Sequence, residues 1–175
     1  MEKVICVLVL YNPKVDLLVK VVSAILPQVD LLWISDNSVE PLNLSSILET
    51  SSKIVYKKMP FPTRRSSDLA VEHNYNYLFY LDQDSIVSED IISKLLSQYR
   101  FLLSNSIIVG AVGPRAFNRC ENKEYKGSVK KGKKINNEIT EVSELISSAS
   151  LIAVSNFEKT GLMDEELFID GVDHE

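Results

Sequence analysis

The chain has 175 residues, of which 45% are hydrophobic and 25% charged, and its formal net charge is −5. This length and composition predict one globular domain with a substantial core, and the acidic balance argues against general nucleic-acid binding. The two cysteines, Cys6 and Cys120, provide neither a disulfide framework nor a zinc-ligand spacing, so a reducing cytoplasm is the default location. The opening apolar run at 4–10 is too short for a signal-peptide core or a membrane span.

Strand and helix patterns alternate through the first two thirds of the chain. Strands are predicted at 4–10, 31–35, 54–56, 77–81 and 107–112. The runs at 4–10 and 77–81 are apolar without a break, which is typical of strands that are buried on both faces. Helical spacing of apolar residues covers 15–27 and the region from about Ser88 to Leu103, with Ser88 as the expected cap, and residues 44–50 predict a short helix. This order predicts right-handed β-α-β crossovers and therefore an α/β fold with a mainly parallel open sheet.

The last third of the chain has weaker patterns. Over 115–134, eight basic and two acidic residues give a local charge of +6, which leaves −11 on the remainder. We interpret this basic loop as a solvated surface, with peripheral contact to an anionic membrane or a lipid-diphosphate acceptor as the alternative. Residues 145–154 predict a strand with small residues in its middle. Residues 155–158 form a capping box, which predicts a short helix that stops before Gly161.

The most informative stretch is 77–85, in which an aromatic-rich apolar run stops at Asp82 and Asp84. Acids at the carboxyl end of such a strand lie where open α/β sheets bind their ligands. Alternate strand residues face the same way, so the two carboxylates can converge on one point. Their mutual repulsion would be relieved by Mg²⁺ or Mn²⁺, which would also bind a diphosphate. The alternative is an ordinary turn with a helix cap, since aspartate favours both.

Polar residues also follow the first two predicted strands, at Tyr11, Asn12 and Asp36. Because the carboxyl ends of parallel strands meet at one edge of a sheet, we expect these residues to join Asp82 and Asp84 in one site. An ordinary turn at the end of a strand is the alternative for Asp36.

Two other classes of α/β protein fit less well. A receiver-like phosphoacceptor domain needs an acid pair directly after the first strand, and the chain has none there. A nucleotidyltransferase needs a glycine-rich basic loop at that position to hold a triphosphate, and this is also lacking.

Taken in order, the segments resemble the family 2 glycosyltransferases, and within them the bacterial rhamnosyltransferase-like branch of polysaccharide and O-antigen assembly. The matching segments are V-L-Y-N-P, I-S-D-N-S, Y-L-F-Y-L-D-Q-D-S, I-V-G-A-V-G-P-R, L-I-S-S-A-S-L-I-A-V-S-N-F-E-K-T-G and D-E-E-L-F-I-D-G-V-D-H-E. They cover nearly the whole chain except 59–76 and the basic loop. The resemblance implies a nucleotide-diphospho-sugar transferase fold (GT-A type, Rossmann-like) with the donor nucleotide over the first strands.

The resemblance also implies roles for the residues at the predicted edge. Tyr11, Asn12 and Asp36 would lie around the base and ribose of the donor. Asp82 would face the ribose or the water shell of the metal, and Asp84 would ligate Mg²⁺ or Mn²⁺ through the D-x-D motif.

The same resemblance implies an inverting transfer by single displacement. Asp173 aligns with the catalytic base of the family and Glu175 lies beside it. Possible contacts with the donor sugar or the acceptor are Ser148, Ser150, Asp170 and Glu175. The donor would be a nucleoside-diphosphate sugar, with dTDP-rhamnose favoured, and the acceptor a polysaccharide or lipid-linked glycan. For Asp173 and Glu175 the alternative is a plain acidic surface turn. For Ser148 and Ser150 the alternative is simple packing of small residues.

One segment departs from the family. Residues 61–69 read F-P-T-R-R-S-S-D-L, where the family would have an Asn/Gly-rich start and a helix that cradle the donor phosphates. One reading frame of a common sequencing-library adapter encodes this run, and we interpret it as foreign to the natural sequence. The alternative is that Arg64 and Arg65 clamp phosphate. The departure predicts that the crossover helix over one sheet face is lacking.

We predict a single glycosyltransferase domain in three parts, namely a nucleotide-sugar-binding half at 1–115, the basic loop at 116–140, and an acceptor and catalytic part at 141–175. The chain stops inside an acidic cluster, so we expect a truncated domain with weak or no activity. A non-catalytic sugar-nucleotide-binding module is the alternative.

Overall fold

The computed structural model describes residues 2–40, 43–58, 66–118, 123–124 and 132–162. The strands, in chain order, are β1 (Val4–Leu10), β2 (Leu31–Asp36), β3 (Ile54–Lys58), β4 (Tyr77–Asp82), β5 (Phe117–Asn118), β6 (Lys123–Glu124), β7 (Lys133–Lys134), β8 (Thr140–Glu141) and β9 (Leu151–Ala153). The α-helices are α1 (Val15–Ile25), α2 (Ser45–Leu48), α3 (Ser66–Glu72), α4 (Ile91–Ser104) and α5 (Phe157–Thr160). Short 3-10 helices lie at Leu26–Gln28 and Val154–Asn156.

The main sheet has five strands in the order β3-β2-β1-β4-β9. The first four are parallel, and β9 pairs with β4 in the antiparallel direction. The predicted α/β fold with a mainly parallel open sheet is therefore confirmed. Two small hairpin-like pairs, β5 with β6 and β7 with β8, lie within the region that was predicted as a loop.

The two faces of the sheet are covered unequally. One face buries Cys6, Leu8 and Phe79 in a large cluster that includes the apolar sides of α1 and α4. The other face buries Ile5 and Val7 in a smaller cluster to which α3 contributes. Burial on both faces explains why β1, β2 and β4 have continuous apolar sequences and not alternating ones.

The predicted lack of a crossover helix is wrong, because α3 connects β3 to β4. Ala70 of α3 is fully buried, and Leu69 packs beside it against the smaller cluster. This helix of seven residues, about two turns long, thus contributes two apolar side chains to the cover of this face. The preceding residues 59–65, which include Arg64 and Arg65, lie outside the described residues.

Two predicted strands are corrected by the structure. Residues 107–112 form only one bridge, between Val112 and Leu151. The carbonyls of Val109 and Gly110 accept hydrogen bonds from Asn156 Nδ2, at 3.0 and 2.8 Å. The predicted strand at 145–154 shrinks to β9, because a tight turn precedes β9.

The starts of two helices also differ from the predictions. Helix α4 begins at Ile91, and Ser88 lies outside it, where its Oγ donates to Asp90 Oδ1 at 2.8 Å. The predicted capping box at 155–158 does not form, since Ser155 lies within a 3-10 helix and α5 has no side-chain cap. In both cases a local hydrogen bond or a tighter turn replaces the expected cap.

The end of α4 has the hydrogen bonds of a Schellman motif. Ile107 N donates to Leu102 O at 3.0 Å and Ser106 N to Leu103 O at 2.9 Å, with Ser106 at φ 60°. Glycine adopts this left-handed conformation without a Cβ penalty. We therefore expect Ser106→Gly to raise the free energy of unfolding by about 0.5–1 kcal/mol. Urea denaturation measures the free energy of unfolding. The control is Ser104→Gly, inside the last helical turn, which should lower the free energy of unfolding. Equal effects of the two changes would contradict the prediction.

Among the described helices, none is long and apolar enough to cross a membrane.

Candidate functional site

The carboxyl ends of the four parallel strands meet at one edge of the sheet. In the register, Leu10 of β1 lies beside Asp36 of β2, and Val9 lies beside Asp82 of β4. Asp36 lies in turn beside Lys58 at the end of β3. We call this edge the strand-end rim and define it by residues 11–12, 36–38, 56–58 and 82–85. The predicted meeting of the three polar strand ends is confirmed.

Asp36 is fully buried at this rim, and both its oxygens have donors within the protein. Oδ1 accepts from Ser38 N at 2.8 Å, while Oδ2 accepts from Tyr56 OH at 2.6 Å and from Lys58 Nζ at 3.1 Å. Burial favours the neutral carboxyl, but these hydrogen bonds outweigh it, so the pKa of Asp36 lies below its ordinary value. Burial and the neighbouring carboxylate raise the pKa of Tyr56 to about 12.

This geometry corrects the expected role of Asp36. A carboxylate with no exposed surface and three internal donors does not contact a ribose directly. Asp36 instead holds β3 and the turn after β2 together at the rim. Lys58 strengthens this junction, because its Nζ also donates to the backbone carbonyl of Ser38.

The segment directly after β1 is held from both sides. On the β2 side, Asn12 N donates to Ser38 Oγ at 2.8 Å, and Asn12 has a φ of 45°. On the β4 side, Tyr11 N donates to Gln83 Oε1 at 2.8 Å, and Gln83 Nε2 donates to Tyr11 O at 3.1 Å. The Tyr11 side chain remains 53% exposed, so its ring is accessible at the rim while its backbone is fixed.

The two aspartates of the D-x-D motif have different backbone settings. Asp82 is the last residue of β4, and Asp84 lies in the turn that follows, where Ser85 N donates to Asp82 O at 3.2 Å. Strand alternation therefore does not govern Asp84, which lies in the turn directly after the strand end. Both side chains are exposed.

Ser148 braces this turn from the other end of the sequence. Its Oγ accepts from Asp82 N at 3.0 Å and donates to Ser85 Oγ at 2.9 Å. The next residue, Ala149, has a φ of 63°, and its N donates to Tyr80 O at 2.8 Å. The loop before β9 is thus fixed to the end of β4 by backbone and side-chain bonds.

The two serines predicted to contact a sugar differ in accessibility. Ser150 is only 4% exposed, which corrects its prediction, because a buried hydroxyl does not reach a bound sugar. Its backbone carbonyl instead accepts from Tyr80 N at 3.0 Å. Ser148 is half-buried and engaged with the turn, so its hydroxyl supports the motif.

Replacing Ser148 by Ala should lower the free energy of unfolding by about 1 kcal/mol, because one acceptor and one donor are lost at a half-buried position. Urea denaturation of the variant measures this loss. Ser147→Ala is the matched control, since its side chain makes no hydrogen bond in the described part of the chain and the backbone bond from Ser150 N to Ser147 O is retained. If both variants are as stable as the parent chain, the brace does not contribute.

The chemistry of Asp82 and Asp84 fits a hard divalent cation. Mg²⁺ prefers oxygen ligands, keeps several waters, and is commonly held by one or two carboxylates together with substrate phosphates. Two exposed carboxylates on one tight turn match that ligand set. Within the described ranges no group of three or more His, Cys, Asp or Glu residues forms a complete protein-only metal cage.

The remaining predicted site residues fall outside the described residues. These are Asp170, Asp173 and Glu175 near the end of the chain. Much of the basic loop also lies there, at 119–122 and 125–131. Their predicted roles stay predictions.

The five strands form a mixed, mainly parallel open α/β sheet whose parallel carboxyl ends make the rim. The fold is shared with the solved structures described next.

Solved structures of S. aureus TarS, a GT-A-type glycosyltransferase, are similar to the chain. TarS residues 1–349 superpose with a TM-score of 0.63 and 10% identity, covering 98% of this chain and 53% of that one. A longer TarS structure gives a TM-score of 0.67 at 10% identity, with 98% and 32% covered. The chain thus spans about half, or less, of these neighbours, and the likeness shows the fold alone. No family model matches the sequence, and no curated protein matches it by sequence.

Proposed function

We propose that the chain belongs to an inverting glycosyltransferase that moves a sugar from a nucleoside-diphosphate sugar to a polysaccharide or lipid-linked glycan. One observation carries this proposal. In a GT-A-type fold, Tyr11 is hydrogen bonded at the rim to Gln83, which stands in the sequence between the exposed Asp82 and Asp84. Such a rim offers an aromatic ring for a base beside two acids for a cation-bound diphosphate.

In this proposal the donor base and ribose lie over the segment after β1. The half-exposed ring of Tyr11 provides a stacking surface, since every base has a π-face. Asn12 adds an amide that can donate and accept hydrogen bonds. Asp36 acts indirectly, through the Ser38 and Lys58 contacts that fix the neighbouring turn.

Asp84 would hold Mg²⁺ or Mn²⁺, with Asp82 facing its water shell or the ribose. The cation, when bound, would offset the negative charge that gathers on the departing nucleoside diphosphate. The chain's own contribution is to keep both carboxylates on one turn. Gln83 and Ser148 fix that turn to β1 and to the loop before β9.

The proton acceptor in the proposal is Asp173, whose role rests on the resemblance. A carboxylate at that position would take the proton of the acceptor hydroxyl as its oxygen attacks the anomeric carbon. Asp173→Asn should then lower the transfer rate and leave donor affinity unchanged, with transfer followed by product analysis and affinity by calorimetry. Unchanged transfer would remove Asp173 from the mechanism.

Rhamnose is the favoured sugar, and dTDP-rhamnose the favoured donor, on the resemblance to the rhamnosyltransferase-like branch. Both are tested by a thermal-shift screen of dTDP-, UDP- and GDP-sugars, with and without Mn²⁺. We expect at least one donor to raise the melting temperature only when Mn²⁺ is present. No shift with any donor would contradict the proposal, and binding without transfer to any glycan acceptor would favour a sugar-nucleotide-binding module.

A further inference from the structure

The amide of Gln83, the central residue of the D-x-D motif, joins β4 to the segment after β1. It accepts from Tyr11 N at 2.8 Å and donates to Tyr11 O at 3.1 Å. The ladder between the two strands ends one step earlier, at Val9 and Asp82. Beyond the end of the ladder, the Gln83 side chain therefore acts in place of a backbone partner. It forms hydrogen bonds with both the N–H and the C=O of Tyr11.

This pairing connects two parts of the rim that have different chemistry. On one side of Gln83 are the carboxylates of Asp82 and Asp84, and on the other is the exposed ring of Tyr11. The Tyr11 segment is also tied to β2, through Asn12 N. Fixed from both sides, its backbone has little freedom to change its distance from the carboxylates.

We infer that Gln83 is a positioning residue, which sets the spacing between the base-binding segment and the metal-binding carboxylates. The inference rests on the proposed function, because it requires one donor to touch both parts. Only an uncharged amide can play this role, since the pairing needs an acceptor for Tyr11 N and a donor for Tyr11 O. A glutamate at position 83 retains the acceptor but has no donor at neutral pH.

A fixed spacing has a specific thermodynamic consequence. A ligand that spans both parts gains affinity when they are held at the correct distance, because less freedom is lost on binding. A ligand that touches only one part gains nothing. Loss of the Gln83 pairing should therefore weaken a nucleoside diphosphate and leave its separate halves unaffected.

The experiment compares the parent chain with Gln83→Met, which keeps the length of the side chain and removes both hydrogen bonds. Three probes are titrated and followed by NMR: uridine or thymidine alone, Mg²⁺ with inorganic pyrophosphate, and Mg²⁺ with UDP or dTDP. We expect the variant to bind the nucleoside diphosphate about tenfold more weakly, because the freed backbone of Tyr11 must then be ordered when the ligand binds. Affinity for the nucleoside and for pyrophosphate should be unchanged.

Gln28→Met is the matched control. The Gln28 amide also joins two backbone segments, through Nε2 to Ala24 O and Ser88 O and through Oε1 to Ile92 N. It lies away from the rim, so its loss should lower stability without changing the relative affinities of the three probes. If Gln83→Met, like Gln28→Met, lowered stability without changing the relative affinities of the three probes, the inference would be overturned.

Three further outcomes are distinct. Retained affinity of Gln83→Met for the nucleoside diphosphate overturns the role of Gln83 and leaves the proposed function standing. Weakened binding of one half alone shows a direct contact and also overturns it. Failure of the parent chain to bind any nucleoside diphosphate contradicts the proposed function, and the role of Gln83 with it.

Discussion

Replacing Asp84 by Asn should lower the Mn²⁺-dependent affinity for a nucleoside diphosphate by at least about 100-fold. Loss of a partner in the outer shell of a metal site alone costs 10–100-fold, and Asp84 is proposed to be a direct ligand. The amide keeps the size of the side chain but removes the negative charge that a hard cation requires. Because Asp84 is exposed, the melting temperature should change little. Calorimetry with dTDP, UDP and GDP in the presence of Mn²⁺ measures the effect.

The control for this variant is Glu89→Gln, which removes one exposed negative charge from the same connecting segment. It should leave the affinity within a factor of about two, since an exposed charge a few residues away is screened. Equal losses in the two variants would indicate a general electrostatic effect, and the assignment of Asp84 as a ligand would be wrong.

Replacing Lys58 by Met should destabilise the fold by about 2 kcal/mol at neutral pH. Removal of one partner from a fully buried ion pair costs about 3–5 kcal/mol, and the value is reduced here because the Lys58 side chain is 44% exposed and Asp36 keeps two other donors. The Asp36 carboxylate, which has no exposed surface, would lose its only cationic contact among the described residues.

The pH dependence of this loss follows from the lowered pKa of Asp36. A carboxyl with a lowered folded-state pKa adds stability above its unfolded pKa of about 3.9, and this contribution disappears as the pH falls through the folded-state value. Without Lys58 the folded-state pKa should rise, so the deficit of the variant should be full at pH 7 and shrink in acid. Urea denaturation from about pH 2 to pH 7, a range that spans the unfolded-state pKa and the lower folded-state pKa, tests this.

Lys57→Met is the matched control for that series. Lys57 precedes Lys58 on β3 and is also exposed, but it makes no ion pair in the described part of the chain. We expect Lys57→Met to change the free energy of unfolding by no more than about 0.5 kcal/mol at every pH, as for most surface substitutions. A pH-independent deficit in Lys58→Met, or an equal deficit in Lys57→Met, would show that the buried ion pair is not the cause.

The central part of the fold could be predicted from sequence because its signals are local. The apolar runs of β1, β2 and β4 are continuous, and helix α1 has the spacing of one buried face. The segment 107–112 has a similar apolar run but forms only one bridge, and two of its carbonyls accept hydrogen bonds from Asn156, which is far away in sequence. Pairing partners of this kind are set by tertiary structure and leave no periodic signal.

The composition of the rim was predictable from topology, since parallel strands bring Tyr11, Asn12, Asp36 and Asp82 to one edge. The direction of each side chain was not. Asp36 has the same sequence signal whether it faces a ligand or an internal lysine, and only the position of Lys58 on the next strand decides between them. A basic residue at the end of β3 was the one available hint.

The contacts that fix the rim were also missed by sequence reasoning. Gln83 and Ser148 each bond to backbone groups that are remote in sequence, namely those of Tyr11 and Asp82. A glutamine between two acids and a serine among small residues carry no pattern that indicates such bonds. Their importance follows only from the geometry of the turn after β4.

Paramagnetic broadening by Mn²⁺ in an NMR spectrum of the chain tests most directly whether a cation-bound diphosphate lies at the rim. With substoichiometric Mn²⁺ and a bound nucleoside diphosphate, we expect the amide signals of Tyr11, Asn12 and 82–85 to broaden first. Signals of Ser106 and Lys133, outside the rim, should stay sharp. Broadening centred on any other surface, or broadening at the rim that persists unchanged in Asp84→Asn, would contradict the account.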